Sequence, residues 1–256
     1  MRVRSALLTV ILFFALVPVF GQGALPPGSL EVSGRVKIGP KQEKLVRKRF
    51  YLFRGGLEAN KALVEKLRAA APVSRDCFYC SQKASAEFIS WLAAGDCESP
   101  YCREITADDA QKVPEFQAAY KKGQTQFRRK PDLARKWITT NLPAALRDGF
   151  YLEKKKMLAG LFGDLKPVQS VMTDSVTVKG IFIDIPLELA GKKTQTFFVS
   201  NLLPIEVGDK SYVWACEIEI GAERPAILKL TEAKTKTCEV FARSLPACAA
   251  GSCNVK

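Results

Sequence analysis

The chain has 256 residues, with 39 Lys and Arg against 26 Asp and Glu, eight cysteines and no histidine. Lacking imidazole, it cannot run Ser-His-Asp or Cys-His catalysis, ligate zinc through histidine or attach c-type haem. The formal charge of +13 bears on partners and solubility rather than on fold.

Arg2 and Arg4 precede an apolar run from Ala6 to Val17, which Pro18 ends. Val19 and Gly21 suit the −3 and −1 positions of a cleavage site. The pattern predicts an export signal over residues 1–21, removed to leave Gln22 at the front. The two arginines leave with it, so the mature chain is expected to carry +11. The run is short of the roughly 20 residues a spanning helix needs, and no second such run follows. The expected location is exported, periplasmic or extracellular, with no transmembrane segment after cleavage.

Residues 22–29 read as a flexible lead-in. From Leu30, Val32, Val36 and Ile38 alternate with Glu31, Ser33, Arg35 and Lys37, the signature of a half-buried strand. Gly39-Pro40 turns the chain, and a second strand over about residues 45–53 runs to Gly55-Gly56. Residues 30–56 are thus expected to form an N-terminal hairpin. Arg35 and Lys37 on its first strand and Arg47 and Arg49, with Tyr51, on its second would then crowd like charges on one face. An anionic partner would relieve that crowding, which makes these four residues the candidate anion-binding set. Separately solvated charges are the plainer account, since charge runs usually mark wet faces.

From Leu57 the period becomes helical. Leu63, Val64 and Leu67 share a stripe, as do Phe88, Trp91 and Leu92. Thr106 with Asp108 and Asp109 marks a helix start, Pro114 and Pro131 fit first turns, and a last helix runs from about Pro143 to Gly163. Residues 57–163 therefore form a helical segment. Residues 164–256 return to strands: Ile181, Ile183 and Ile185 alternate with Phe182 and Asp184. Trp214, Cys216, Ile218 and Ile220 alternate with a wetter face of Val213, Ala215, Glu217 and Glu219. A hairpin alone is marginal in water. The expected fold is α+β: a mainly antiparallel sheet or sandwich from both ends of the chain, with a central, disulfide-stapled helical insertion.

Cys77, Cys80, Cys97 and Cys102 are spaced C-x2-C-x16-C-x4-C. In an oxidising compartment these are structural, and a nested pairing, Cys77 with Cys102 and Cys80 with Cys97, is the first expectation. A four-thiolate zinc site wants a closer second pair. A redox-active Cys77-Phe78-Tyr79-Cys80 would have Arg75 and a helix N-terminus to stabilise a thiolate, but lacks the preceding strand such motifs follow. Cys216 and Cys238 point inward from neighbouring strands and can bridge. Cys248 and Cys253 can close a short loop in the tail.

Asp108–Asp109, Asp184–Glu188 and Glu217–Glu219 are the closest acidic groupings, and nothing in their spacing sets two acids across a cleft as a glycosidase requires. No nucleic-acid motif is present. The sequence points to no metal and no cofactor and leans away from an enzyme. The leading expectation is a non-enzymatic binding or scaffold protein at the cell envelope. Its partner would be an anionic envelope component or another exported protein. The alternative is a thiol–disulfide oxidoreductase using Cys77 and Cys80.

Overall fold

The computed structural model describes residues 27–246 and residue 248. The export signal, residues 22–26 of the lead-in and Cys253 lie outside the described residues. Strands β1 (Gly28–Ile38), β2 (Lys41–Lys44) and β3 (Arg49–Arg54) come first. Helices α1 (Lys61–Ala69), α2 (Arg75–Ser81), α3 (Ala86–Ala94), α4 (Ala107–Lys112), α5 (Pro114–Gln126), α6 (Pro131–Lys136), α7 (Ile138–Asn141), α8 (Ala144–Arg147) and α9 (Gly149–Phe162) follow. Strands β4 (Gln169–Met172), β5 (Lys179–Ile185), β6 (Thr194–Ser200), β7 (Ile205–Val207), β8 (Lys210–Gly221), β9 (Ala226–Leu230) and β10 (Cys238–Ser244) complete the order.

The fold is α+β with the helices inserted between two paired strands, since β3 and β4 are antiparallel neighbours (Arg49 opposite Met172, Tyr51 opposite Ser170). The larger sheet runs β10-β8-β6-β3-β4, with β7 also on β8. In the smaller sheet β1 is flanked by antiparallel β5 and parallel β9, and its second half pairs with β2. The two sheets share one core. Leu30, Val32, Phe182 and Leu228 from the smaller meet Phe50, Leu52, Phe197 and Trp214 from the larger, all of them buried. The Trp214 indole donates to the Thr231 carbonyl at 2.7 Å, so the largest core side chain keeps its polar group satisfied.

The larger sheet is buried on its other face as well. Tyr51, Phe53, Phe198, Val213 and Ala215 pack against Leu63, Val64 and Leu67 of α1 and Leu161 of α9. The expectation of a wetter face at Val213 and Ala215 is therefore corrected: the helices cover that end of β8, and only Glu217 and Glu219 stand toward solvent. The stripe on β5 is also reversed. Phe182 and Ile185 face the core, whereas Ile181 and Ile183 face out, and the strand slips register where Asp184 adopts φ 54°. The remaining helices surround a core of their own built on Tyr79, Phe88, Trp91, Phe116 and Phe150, with Trp91 edge-on to Phe116 at 4.9 Å. Thr106 caps α4 reciprocally with Asp109.

The expected N-terminal hairpin is corrected too. β2 pairs with β1, but β3 does not: between residues 45 and 48 the chain leaves the smaller sheet and enters the larger. Gly34 leaves room for the Leu45 side chain, which a Cβ there would meet. Thr173, itself buried, fixes it. Its hydroxyl donates to the Leu45 carbonyl at 2.6 Å and accepts from the Lys48 N–H at 2.9 Å. Arg47 takes the left-handed backbone this requires, with φ 53°.

Candidate functional site

The crossing separates the candidate basic residues. On β1, Arg35 and Lys37 sit opposite in parity to the core residues Val32 and Val36, on the outer face of the smaller sheet. On β3, Arg49 and Tyr51 sit opposite in parity to Phe50 and Leu52, on the outer face of the larger sheet. Both sets point away from one shared core, so they point away from each other. The four residues do not form one patch. Parity along each strand is as the sequence implied; what it could not show is that the two strands lie in different layers.

Arg47 and Arg49 instead line a cleft of about 520 Å³ between the larger sheet and α9. Helix α9 creates it by serving two cores. Phe150 near its start packs in the helical core, and Leu161 near its end packs on the sheet. Between them Tyr151, Lys154, Lys155 and Leu158, at helical spacing, line the cleft opposite Arg47, Arg49, Tyr51, Ser170 and Met172. Lys48 and the segment Leu203-Pro204-Ile205 close one end. A site of this size, with apolar walls and a few charged groups, has the make-up of a small-ligand site.

Five cations line the cleft, and two have partners. Lys48 pairs with Asp96 at 3.0 Å and Lys154 with Glu98 at 2.6 Å. Both acids flank Cys97, whose disulfide to Cys102 holds that loop. Among the described residues no carboxylate lies within ion-pair distance of Arg47, Arg49 or Lys155. Arg49 spends one N–H on the Ser170 hydroxyl at 3.3 Å, leaving most of its guanidinium fork open. Burial pushes the Tyr51 phenol up, against the pull of Arg49 beside it. Tyr51 thus stays a neutral donor at physiological pH. Asn201, at the cleft's edge, is committed elsewhere: its side chain bonds the Leu203 and Tyr212 carbonyls and the Trp214 N–H.

A smaller pocket of about 40 Å³ adjoins the cleft and brings Asp96, Glu98 and Glu206 near Arg75. It has room for little more than water. Burial pushes the Glu206 carboxyl above the usual range, opposed by the Arg75 backbone N–H, which donates to it at 2.6 Å, and by the Arg75 charge. Nothing in the sequence linked Glu206 to Arg75, 131 positions apart. The acidic groupings singled out by sequence have structural work. Asp109 closes the capping box, Glu217 accepts from the Leu57 N–H at 2.8 Å, Glu219 accepts from the Thr194 and Thr196 hydroxyls, and Glu188 pairs with Arg54 at 3.1 Å.

The cysteines are paired differently from the nested expectation. Cys77 bonds Cys248, Cys97 bonds Cys102, and Cys80 is disulfide-bonded as well. Cys97 and Cys102 fall on one tight turn with Cα atoms 5.6 Å apart, close enough to bridge without help from α2. Cys248 is paired with α2, not with its neighbour in sequence, and β10, just before it, is moored to α1. The Arg243 guanidinium donates to the open carbonyls of Leu67, Arg68 and Ala70 at the C-terminus of α1. Cys216 and Cys238 are directly opposed on β8 and β10 and are bonded, as their inward placement suggested. No group of three or more potential metal ligands stands together among the described residues. Nor is any described helix long and apolar enough to cross a membrane.

No protein-family model, no curated protein and no solved structure matches the chain.

Proposed function

We propose that this is an exported, non-enzymatic binding protein that holds an anionic envelope component in the cleft between the larger sheet and α9. The observation behind this reading is that Arg47 and Arg49 on one wall of the cleft and Lys155 on the other have no carboxylate partner among the described residues. Like charges held near each other raise the free energy of the empty site, and an anion repays it. Arginine suits carboxylate, sulfate and phosphate groups because its fork meets two oxygens at once. Tyr51 and Ser170 add neutral donors, and Tyr151, Leu158 and Met172 offer apolar surface to the body of the ligand.

The oxidoreductase alternative depends on a bond between Cys77 and Cys80 that opens and closes. Cys77 is instead bonded to Cys248, which leaves that alternative without a structural observation in its favour.

Calorimetric titration with an oligouronate, inorganic sulfate and pyrophosphate tests the binding reading. At least one probe should bind with an affinity that falls with added salt. R47Q/R49Q should lose that affinity roughly ten- to a hundredfold, the range for removing charge-assisted hydrogen bonds, while R35Q/K37Q should keep it. Absence of binding by all three probes, or equal losses in both double variants, would overturn the assignment.

A further inference from the structure

A second surface is independent of the cleft. We propose that the exposed outer face of the smaller sheet docks the protein onto an anionic phospholipid surface. Strand pairing places its side chains in rows. Ile181, Glu31 and Ile227 lie side by side across β5, β1 and β9, and Lys179, Ser33 and Lys229 form the next row. Arg35 stands beside Lys44 of β2 in the row beyond. Ile181, Ile183 and Ile227 are 55%, 61% and 57% exposed, although they share one sheet face. An exposed apolar group of this kind, rimmed by charge, marks an interaction surface.

Charge complementarity selects the occupant. Glu31 is the acid within these rows, and it is bonded to Lys179 at 2.9 Å; among the described residues no carboxylate is ion-paired with Arg35, Lys44 or Lys229. A second copy of the chain would bring like charge against like charge. A lipid surface accepts both features. The isoleucines enter the region of the acyl-chain ends nearest the headgroups, while lysine and arginine lay their stems along apolar surface and keep their charges at the phosphates. Each cation near an anionic bilayer strengthens binding about fivefold.

Co-sedimentation of the oxidised chain, purified after export, with vesicles of phosphatidylglycerol and phosphatidylcholine in equal parts tests this. Vesicles of phosphatidylcholine alone are the control. The wild-type chain should pellet with the mixed vesicles and not with the control. R35Q/K229Q should bind about twenty-five-fold more weakly, and I181S/I227S roughly tenfold more weakly. All four side chains lie outside the core, so unfolding midpoints should hold. R47Q/R49Q should bind vesicles like the wild type, which keeps this result distinct from that of the cleft. Absence of binding to the mixed vesicles would overturn the proposal, as would binding that neither surface variant weakens. A wild-type dimer in light scattering that I181S/I227S converts to monomer, without vesicle binding, would assign the face to a second copy and also overturn it.

Discussion

The two sheets face each other across one core, yet their outer faces have opposite fates. The larger sheet's outer face is apolar where α1 and α9 lie on it, at Phe53, Phe198, Val213 and Ala215, and cationic where α9 lifts away, at Arg49. No described helix lies over the smaller sheet's outer face, which is a mixture of isoleucine and cation along β1, β5 and β9. The same period-2 alternation thus yields a cleft on one side of the sandwich and an open platform on the other. What distinguishes them is the 114-residue connection between β3 and β4 (residues 55–168), which supplies a cover to one sheet only.

Truncation on the two outer faces gives the widest contrast. Phe198→Ala, under the helices and fully buried, is expected to cost about 3–5 kcal/mol of stability in urea unfolding. Comparable losses at Ile181 would show that the smaller sheet's face is covered after all. Removing the bond between β8 and β10 with Cys216→Ala/Cys238→Ala should cost about 3 kcal/mol, against about 2 kcal/mol for Cys97→Ala/Cys102→Ala, from the loop lengths they close.

Glu206 gives a smaller effect with a definite sign. Burial raises its pKa in the folded chain above the unfolded value. Between those two values the folded state holds the extra proton, so stability falls as pH rises through that window, which opens at the ordinary glutamate value. Asp109 acts oppositely: despite burial, hydrogen bonds from Thr106 hold its pKa low, and the stability it adds is lost as pH falls through that low value. Thermal melts of Glu206→Gln across this range should therefore show a shallower decline toward neutral pH than the wild type. An unchanged slope would mean that Glu206 titrates as in the unfolded chain. The smallest effect is expected at Ile181→Ala, within about 0.5 kcal/mol.

Local features were legible in the sequence wherever a short-range rule decides them. The alternation in β1, the cap at Thr106 and the facing of Cys216 toward Cys238 all follow from side chains within a few residues or on adjacent strands. The helical insertion followed from the change of period at Leu57. What escaped depends on distant partners. Thr173 fixes the crossing at residues 45–48 from 125 positions away, and without it the Arg35 and Arg49 strands read as one hairpin. Cys77 bonds Cys248 across 171 positions, and Arg243, which holds β10 to the end of α1, has no sequence signature. Lys154 and Lys155 belong to a run of three lysines in the sequence, but only the placement of α9 between two cores brings them opposite Arg49.

The separation of the two cationic surfaces is the central claim, and an anion located by diffraction tests it directly. Crystals of the oxidised protein soaked in selenate, which mimics sulfate and phosphate in shape and charge, would reveal bound anions by selenium anomalous scattering. The strongest site is expected between Arg47, Arg49 and Lys155, weakened or lost in R47Q/R49Q. A cleft empty of selenate, with the ion instead at Arg35 and Lys37, would contradict the account.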